Sequence, residues 1–202
     1  MEEEERMSTL EGLREQAMGC TLCPLSQSRT QVVFGAGNPR ARVLFIGEAP
    51  GYHEDLKGEP FVGSAGRLLT ELLESIGLKR TDIYIANVIK CRPPGNRNPL
   101  PEEIEHCKPY LMKQIDLIKP KIVCTLGNFS TQLLLNKKIG VSKLRGQSFL
   151  LNGYTVVPMY HPAAALHQGG LLVSLKEDFT NLKNLLESGS EPTQVTEQMT
   201  LF

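Results

Sequence analysis

The sequence lacks several features that would assign it at once to a common functional class. It carries 22 basic and 22 acidic residues and so no net charge, which means that any phosphate-binding surface must be local. No apolar run approaches the roughly 20 residues of a membrane-spanning helix, no G-x-G-x-x-G follows the first apolar strand, and no internal repeat is present. The acidic start, residues 1–5, has the wrong charge for a secretory signal. We therefore expect an intracellular, cytoplasmic protein without membrane contact.

Length and composition are those of one globular domain. The chain has 202 residues, of which 41% are hydrophobic and 22% charged. From Ser188 onward the composition turns to Ser, Gly, Pro, Thr and Gln. We expect a monomeric domain over residues 1–187 and a flexible tail over residues 188–202.

Apolar periodicity predicts alternating strands and helices. The predicted strands are Arg42–Ile46, Ile83–Val88, Lys121–Leu126 and Tyr154–Tyr160. The predicted helices are an opening helix through Leu10, Leu13 and Ala17, one capped by Ser64, one starting at Pro101, and short ones near 129–135 and 175–187. This alternation predicts an α/β fold, a three-layer α/β/α sandwich around a central, mainly parallel four-stranded sheet.

Three polar motifs follow predicted strands. They are Gly47-Glu48-Ala49-Pro50-Gly51, the segment that begins at Asn87, and His161-Pro162-Ala163-Ala164-Ala165. Ligands of open parallel sheets bind in the crevice beyond the carboxyl ends of the strands. The three motifs are therefore expected to converge on one site.

Five cysteines form a second pattern. In a reducing compartment an uneven count with one Cys-x-x-Cys, Cys20 and Cys23, indicates metal or redox chemistry rather than disulfides. Cys91 and Cys107 complete a set of four, whereas Cys124 lies in an apolar strand and is expected to be a core residue. Zinc also accepts four cysteines, but a zinc ribbon typically repeats the close pair.

The order and spacing of these motifs resemble the uracil-DNA glycosylases, specifically their family 4 iron–sulfur branch, from about residue 10 to residue 186. The blocks that carry the resemblance are Cys20–Leu25, Val33–Gly37, Gly47–Gly51, Gly58–Gly63, Asn87–Pro94 and His161–Ala165. The resemblance implies hydrolysis of the N-glycosidic bond of a uracil extruded from DNA, which leaves an abasic site. It also implies a 4Fe–4S cluster held by Cys20, Cys23, Cys91 and Cys107.

The resemblance assigns roles to individual residues. His161 would donate to the uracil O2 as negative charge develops, and Glu48 would orient water and stabilise the cationic sugar. Asn87 would read the uracil edge that carries N3–H and O4, Phe61 would stack on the ring, and Glu54 would crowd C5 and so exclude thymine. Gly47 begins a loop whose backbone would closely approach the ligand.

Each of these residues also has a purely structural interpretation. His161 could cap a strand end, Glu48 could be a solvated loop acid, and Asn87 could bond its own backbone. Phe61 could be a core residue, although glycines and a proline surround it.

Contacts to DNA are expected from a few basic side chains and an apolar wedge. Arg92 and Arg97, with Lys143 and Arg145, are the expected phosphate partners. Family members insert an apolar side chain from the loop after the histidine. Here Ala165 stands where a larger residue is common, so Leu166 is the expected wedge or insertion is weak.

The last residues resemble a short peptide that docks on a sliding clamp. Gln198 would bond at the edge of the clamp pocket, and Met199, Leu201 and Phe202 would enter or flank its apolar cleft. The expected partners are thus uracil-containing DNA, with a nucleoid association, and a bacterial or archaeal clamp.

Two rival functions stay open from the sequence. One is a uracil-DNA binding or covalently trapping module of the same superfamily without turnover. Such a module carries its reactive histidine on a basic insert. This chain has Pro93–Arg97 in that region, without the basic run or its histidine, which favours turnover. The other is a ferredoxin-like electron carrier, which would leave the three strand-end motifs unexplained.

Overall fold

A mixed sheet forms the centre of the structure, a computed structural model that describes residues 2–188, with side chains from residue 9 onward. Its strands are β1 (Ala36–Gly37), β2 (Val43–Gly47), β3 (Tyr84–Asn87), β4 (Ile122–Leu126), β5 (Phe149–Leu151) and β6 (Tyr154–Met159). Their order across the sheet is β1-β3-β2-β4-β6-β5. The four central strands are parallel, and β1 and β5 pair antiparallel at the edges.

The central strands are covered on both faces, as their sequences predict. Every residue of β2, β3, β4 and β6 is buried. Strands with this continuous burial belong to parallel sheets that carry helices on each side.

Helices supply the two outer layers. They are α1 (Glu2–Met18), α2 (Tyr52–Lys57), α3 (Ser64–Ser75), α4 (Pro101–Ile118), α5 (Asn128–Leu135), α6 (Val141–Leu144), α7 (Pro162–His167) and α8 (Gly169–Ser188). One apolar core lies between the sheet and α1, α4 and α5. The other lies between the sheet and α3, α7 and α8. The predicted α/β class is confirmed.

The predicted four-stranded sheet is wrong, because two edge strands complete a sheet of six. β1 has only two residues, one of them a glycine, which is too short for a periodic signal. β5 joins β6 through Asn152-Gly153, whose φ angles of 48° and 86° are those of a tight hairpin turn. That dipeptide was a usable signal in the sequence.

Helix boundaries also differ from the prediction. Helix α3 begins at Ser64 itself, and its N-cap is Gly63 without a side-chain cap. Helix α8 begins at Gly169 rather than near 175. The segment after His161, expected as a loop, forms α7 with Pro162 in its first turn, a position that suits proline.

None of the described helices combines the length and apolarity that crossing a bilayer needs. The boundary at residue 187 stays a prediction. The expected tail, with Gln198, Met199, Leu201 and Phe202, lies outside the described residues apart from Ser188, which ends α8.

Candidate functional site

The three strand-end motifs meet at one edge of the sheet, as expected for parallel strands. Gly47 ends β2 and is paired with Asn87 at the end of β3, and His161 follows β6 on the far side of β4. Together they border a cavity of about 260 Å³, which we call the edge cavity. Its lining includes Glu48, Gly51, Glu54, Phe61, Asn87, Arg97 and His161.

Asn87 carries an unused hydrogen-bond acceptor at this cavity. The side chain is 2% exposed, and within residues 2–188 nothing donates to its Oδ1 atom. Leaving a buried acceptor without a donor costs about 1–3 kcal/mol. An added Cβ at Gly47 would collide with both this Oδ1 and the Phe61 ring. The glycine therefore keeps open the space in which a ligand N–H can reach Oδ1.

His161 presents a neutral imidazole to the cavity. Its Nδ1 accepts the backbone N–H of Ala163 at 3.1 Å, so the ring hydrogen lies on Nε2. Burial lowers the pKa of His161 to about 4, against the charge of Glu54, which raises it. The imidazole is therefore uncharged near neutral pH and can donate from Nε2 to an oxygen that gains negative charge.

Glu48 supplies a carboxylate to the same cavity. Its Oε1 accepts the backbone N–H of Phe129 at 3.2 Å, at the start of α5. Burial raises the pKa of Glu48, and the backbone donors Phe129 and Asn128 oppose that shift. Gly127 has a φ of 95° and leaves no room for a Cβ beside Oε1. One carboxylate oxygen of Glu48 is therefore held at the cavity by a backbone N–H.

Phe61 forms an aromatic wall of the cavity. The ring is 6% exposed and stacks on His161 with 5.5 Å between centroids and 26° between planes. Its φ of 55° is unusual for a residue with a side chain, so the surrounding structure must hold it there.

Two charged side chains hold the Phe61 loop. Glu54, from α2, accepts the N–H groups of Val62 and Gly63 through Oε1, each at 2.9 Å. Arg80 donates to the carbonyls of Phe61 and Pro60 at 3.1 and 2.9 Å. Glu54 was expected to crowd C5 of the base and exclude thymine, which stays a prediction; the structure shows that it lines the cavity and holds the loop. Arg80 lies outside every motif of the sequence, so its contact with this loop could not be predicted.

Arg92 and Arg97, two of the expected DNA contacts, lie at the rim of the edge cavity and differ in whether an acidic side chain already pairs with them. Arg92 lies over the exposed Tyr52 ring at 5.1 Å and donates to Asn96. Arg97 lines the cavity but directs both terminal nitrogens to Glu103, at 2.6 and 2.9 Å. Its guanidinium is therefore already paired.

Lys143 and Arg145 are the other expected phosphate partners, and Leu166 is the expected wedge. Arg145 binds Asp178 through two contacts of 2.9 and 3.2 Å, which leaves it poorly placed for a phosphate. Lys143 lies in the last turn of α6. On α7, Ala165 is 3% exposed and packs in the core, whereas Leu166 is 47% exposed. Of the two, Leu166 is the side chain that can reach another molecule.

The four expected metal ligands lie around a second, smaller cavity of about 20 Å³, the cysteine cavity. Cys20 and Cys23 come from the segment after α1, Cys91 follows β3, and Cys107 belongs to α4. Arg29 donates to the Cys91 Sγ at 3.4 Å and to the Cys20 carbonyl at 2.7 Å. Cys124, as expected, is fully buried in β4, away from this cavity.

A backbone donor also points at one sulfur of this cavity. The Lys90 backbone N–H points at the Cys107 Sγ at 3.2 Å, and burial raises the pKa of Cys107 to about 11, opposed by Lys90. No three or more His, Cys, Asp or Glu side chains in the described part of the chain are grouped to hold a metal ion. The four cysteines nevertheless line one cavity, and cysteine thiolates are the ligands that iron–sulfur clusters take.

Comparison with known proteins agrees with this geometry. Residues 34–186 match the uracil DNA glycosylase superfamily. Type-4 uracil-DNA glycosylases of Archaeoglobus fulgidus and Sulfurisphaera tokodaii are 43% and 46% identical to the chain, each over 89% of its length and over 94% and 86% of their own. That of Saccharolobus solfataricus is 45% identical over 90% of this chain and 88% of its own length. The chain therefore belongs to the uracil-DNA glycosylase superfamily, within its type-4 branch.

Proposed function

We propose that the protein hydrolyses the N-glycosidic bond of deoxyuridine in DNA, releasing uracil and leaving an abasic site. The observation that carries this proposal is the unused Oδ1 of Asn87 in the same cavity as the neutral His161 and the Phe61 ring. A uracil has the matching groups: a flat ring, an N3–H donor and carbonyl oxygens on either side of it.

Phe61 and Asn87 select the base. The Phe61 ring stacks on the extruded pyrimidine, whose removal from the duplex costs a few kcal/mol. The Asn87 amide accepts from N3–H and donates to O4. Cytosine has no N3–H and carries an amino group at C4, so it would leave the Oδ1 without a donor and place two donors face to face.

His161 and Glu48 favour the separated charges of the transition state. The His161 Nε2–H donates to the uracil O2, where negative charge grows as the bond breaks. Glu48 holds the water that attacks the sugar and balances its positive charge. Because Oε1 is bonded to the Phe129 amide, the second oxygen, Oε2, is the one we assign to that water.

Glu54 adds selectivity against thymine. Its carboxylate is fixed by the Val62 and Gly63 amides at the wall of the cavity. We propose that this fixed side chain occupies the space that a methyl group on C5 of the base would need.

The cysteines bind a 4Fe–4S cluster in this proposal. Cys20, Cys23, Cys91 and Cys107 would each ligate one iron. The cluster supplies no step of hydrolysis; it ties the segment after α1 to the loop of residues 92–97 at the cavity rim.

DNA engages this rim. Arg92 contacts phosphates, and Leu166 enters the vacated base stack. Arg97 contacts a phosphate only when its pair with Glu103 opens. The clamp-binding role of residues 198–202 is a separate proposal, and deleting them should remove clamp binding but leave activity on short duplexes intact.

The test is uracil release from a uracil-containing oligonucleotide, detected by alkaline cleavage, with the iron content of each protein measured in parallel. Wild type should turn over repeatedly, and Glu48→Ala and His161→Ala should each lose on the order of 100-fold in rate with iron retained. Undiminished release by both variants would refute the site. A wild type that stays covalently attached to DNA would instead support the trapping module.

A further inference from the structure

Lys90 is a buried cation between the edge cavity and the cysteine cavity. The side chain is 2% exposed. Its Nζ donates to the backbone carbonyl of Asn87 at 2.8 Å and to Gln114 Oε1 at 2.6 Å. Both acceptors are neutral, and burying an ammonium group among neutral oxygens is costly unless a negative charge lies nearby.

The cysteine cavity would supply that charge once a cluster is bound, because cysteines that ligate iron are thiolates. Lys90 lines the cysteine cavity, and its backbone N–H points at the Cys107 Sγ. One residue therefore touches a cysteine with its main chain and the base-reading asparagine with its side chain.

Gln114 fixes the side chain of Lys90 in this position. It is fully buried, accepts from Nζ, and donates through Nε2 to the Phe34 carbonyl at 2.9 Å. Because both ends of the Gln114 amide are used, the ammonium has little freedom to leave the Asn87 carbonyl.

We propose that Lys90 is a positioning residue that couples the cysteine-bound cluster to the uracil pocket. Thiolate charge stabilises the ammonium, the ammonium holds the carbonyl of Asn87, and the amide of that residue then stays aligned with the base. This inference rests on the proposed function and extends it, because it makes base recognition depend on a site that takes no part in the chemistry.

Coupling between two sites is reciprocal, so uracil in the pocket should stabilise the cluster. Iron leaves for a chelator through a locally opened state, and a ligand that binds only the closed state lowers the population of the opened one. Without Lys90, the two sites should respond independently.

The experiment uses the full-length, cluster-containing protein and measures free-uracil affinity, abasic-DNA affinity and the rate of iron loss to a chelator. In wild type, saturating uracil should slow iron loss about fivefold. Lys90→Met should weaken uracil binding about 10-fold, leave abasic-DNA binding unchanged, and abolish the protection even at saturating uracil. Lys113→Met, an exposed lysine one position before Gln114, is the matched control and should behave as wild type.

The outcomes distinguish a failure of the proposed function from a failure of the coupling through Lys90. A wild type that binds no uracil refutes the proposed function and this inference with it. Uracil binding and protection that are equal in wild type and Lys90→Met refute the coupling alone. If Lys90→Met does not fold, Gln114→Met, which removes one acceptor of Nζ, should show the same losses in weaker form; its equality with wild type would likewise refute the coupling.

Discussion

The edge cavity and the cysteine cavity differ in whether their polar atoms already have hydrogen-bond donors. In the edge cavity the Asn87 Oδ1 is left without a donor from the described residues, and glycine and a strained phenylalanine hold the space open. In the cysteine cavity, donors from Arg29 and Lys90 already point at sulfur, and the enclosed volume is small. The first arrangement suits a ligand that binds and dissociates, and the second suits a permanently bound group.

The largest effect that separates the two cavities is expected from Asn87. Asn87→Leu removes the unused acceptor and should lower kcat/KM on uracil-containing DNA on the order of 100-fold, because the N3–H of the base loses its partner. Iron content should not change. The control is Asn184→Leu on the exposed side of α8. Near-wild-type kcat/KM of the Asn87 variant in steady-state assays would show that Asn87 does not select the base.

Cys107→Ala should give the reverse result. Loss of one ligand should deplete iron and lower the Tm by about 10 °C, since a group bound to the native state alone stabilises it. Cys124→Ala, in the fully buried control position, should keep all its iron and shift the Tm by about 3 °C. Iron analysis and thermal melts check both. Full iron in the Cys107 variant would break the distinction between the two cavities.

A smaller effect should come from crowding the edge cavity. Gly47→Ala places a methyl group against the Asn87 amide and the Phe61 ring, so KM should rise about 10-fold and the Tm should fall by about 5 °C. Gly12→Ala, in helix α1, is the control, because its Cβ meets no atom within 4 Å among the described residues. Equal KM values for the two variants would show that the space beside Asn87 is not used.

The smallest effect should be confined to duplex DNA. Leu166→Ala should slow uracil release from a duplex about fivefold and leave single-stranded substrate unaffected, because only a duplex has a vacated stack to fill. Val173→Ala, also exposed, is the control. Equal slowing on both substrates would exclude a wedge.

The sequence predicted the parts of the molecule that depend on local pattern. The four central strands are continuous apolar runs, and the motifs at the ends of three of them converge because parallel strands share one carboxyl edge. The contact of Glu54 with the Val62 and Gly63 amides was not predicted, since it depends on how α2 packs.

The remaining parts depend on long-range pairing that no local pattern encodes. Arg80 reaches a loop about 20 residues away, and Gln114 reaches a carbonyl 80 residues away. The pairing of Arg145 could not be predicted from the sequence, because its partner Asp178 lies 33 residues further on. Long-range polar contacts of this kind are specified by the assembled fold, so only the structure reveals the partners.

The central claim is that an uncharged imidazole at His161 donates from Nε2, and a nitrogen NMR titration of this ring tests it most directly. Because burial lowers the pKa of His161 to about 4, the ring should stay neutral, with its hydrogen on Nε2, as the pH falls from about 8 to about 5, and should take up a proton only around pH 4. Added uracil should shift the Nε2 resonance. An imidazolium at about pH 6, or a neutral ring with its hydrogen on Nδ1, would contradict the account.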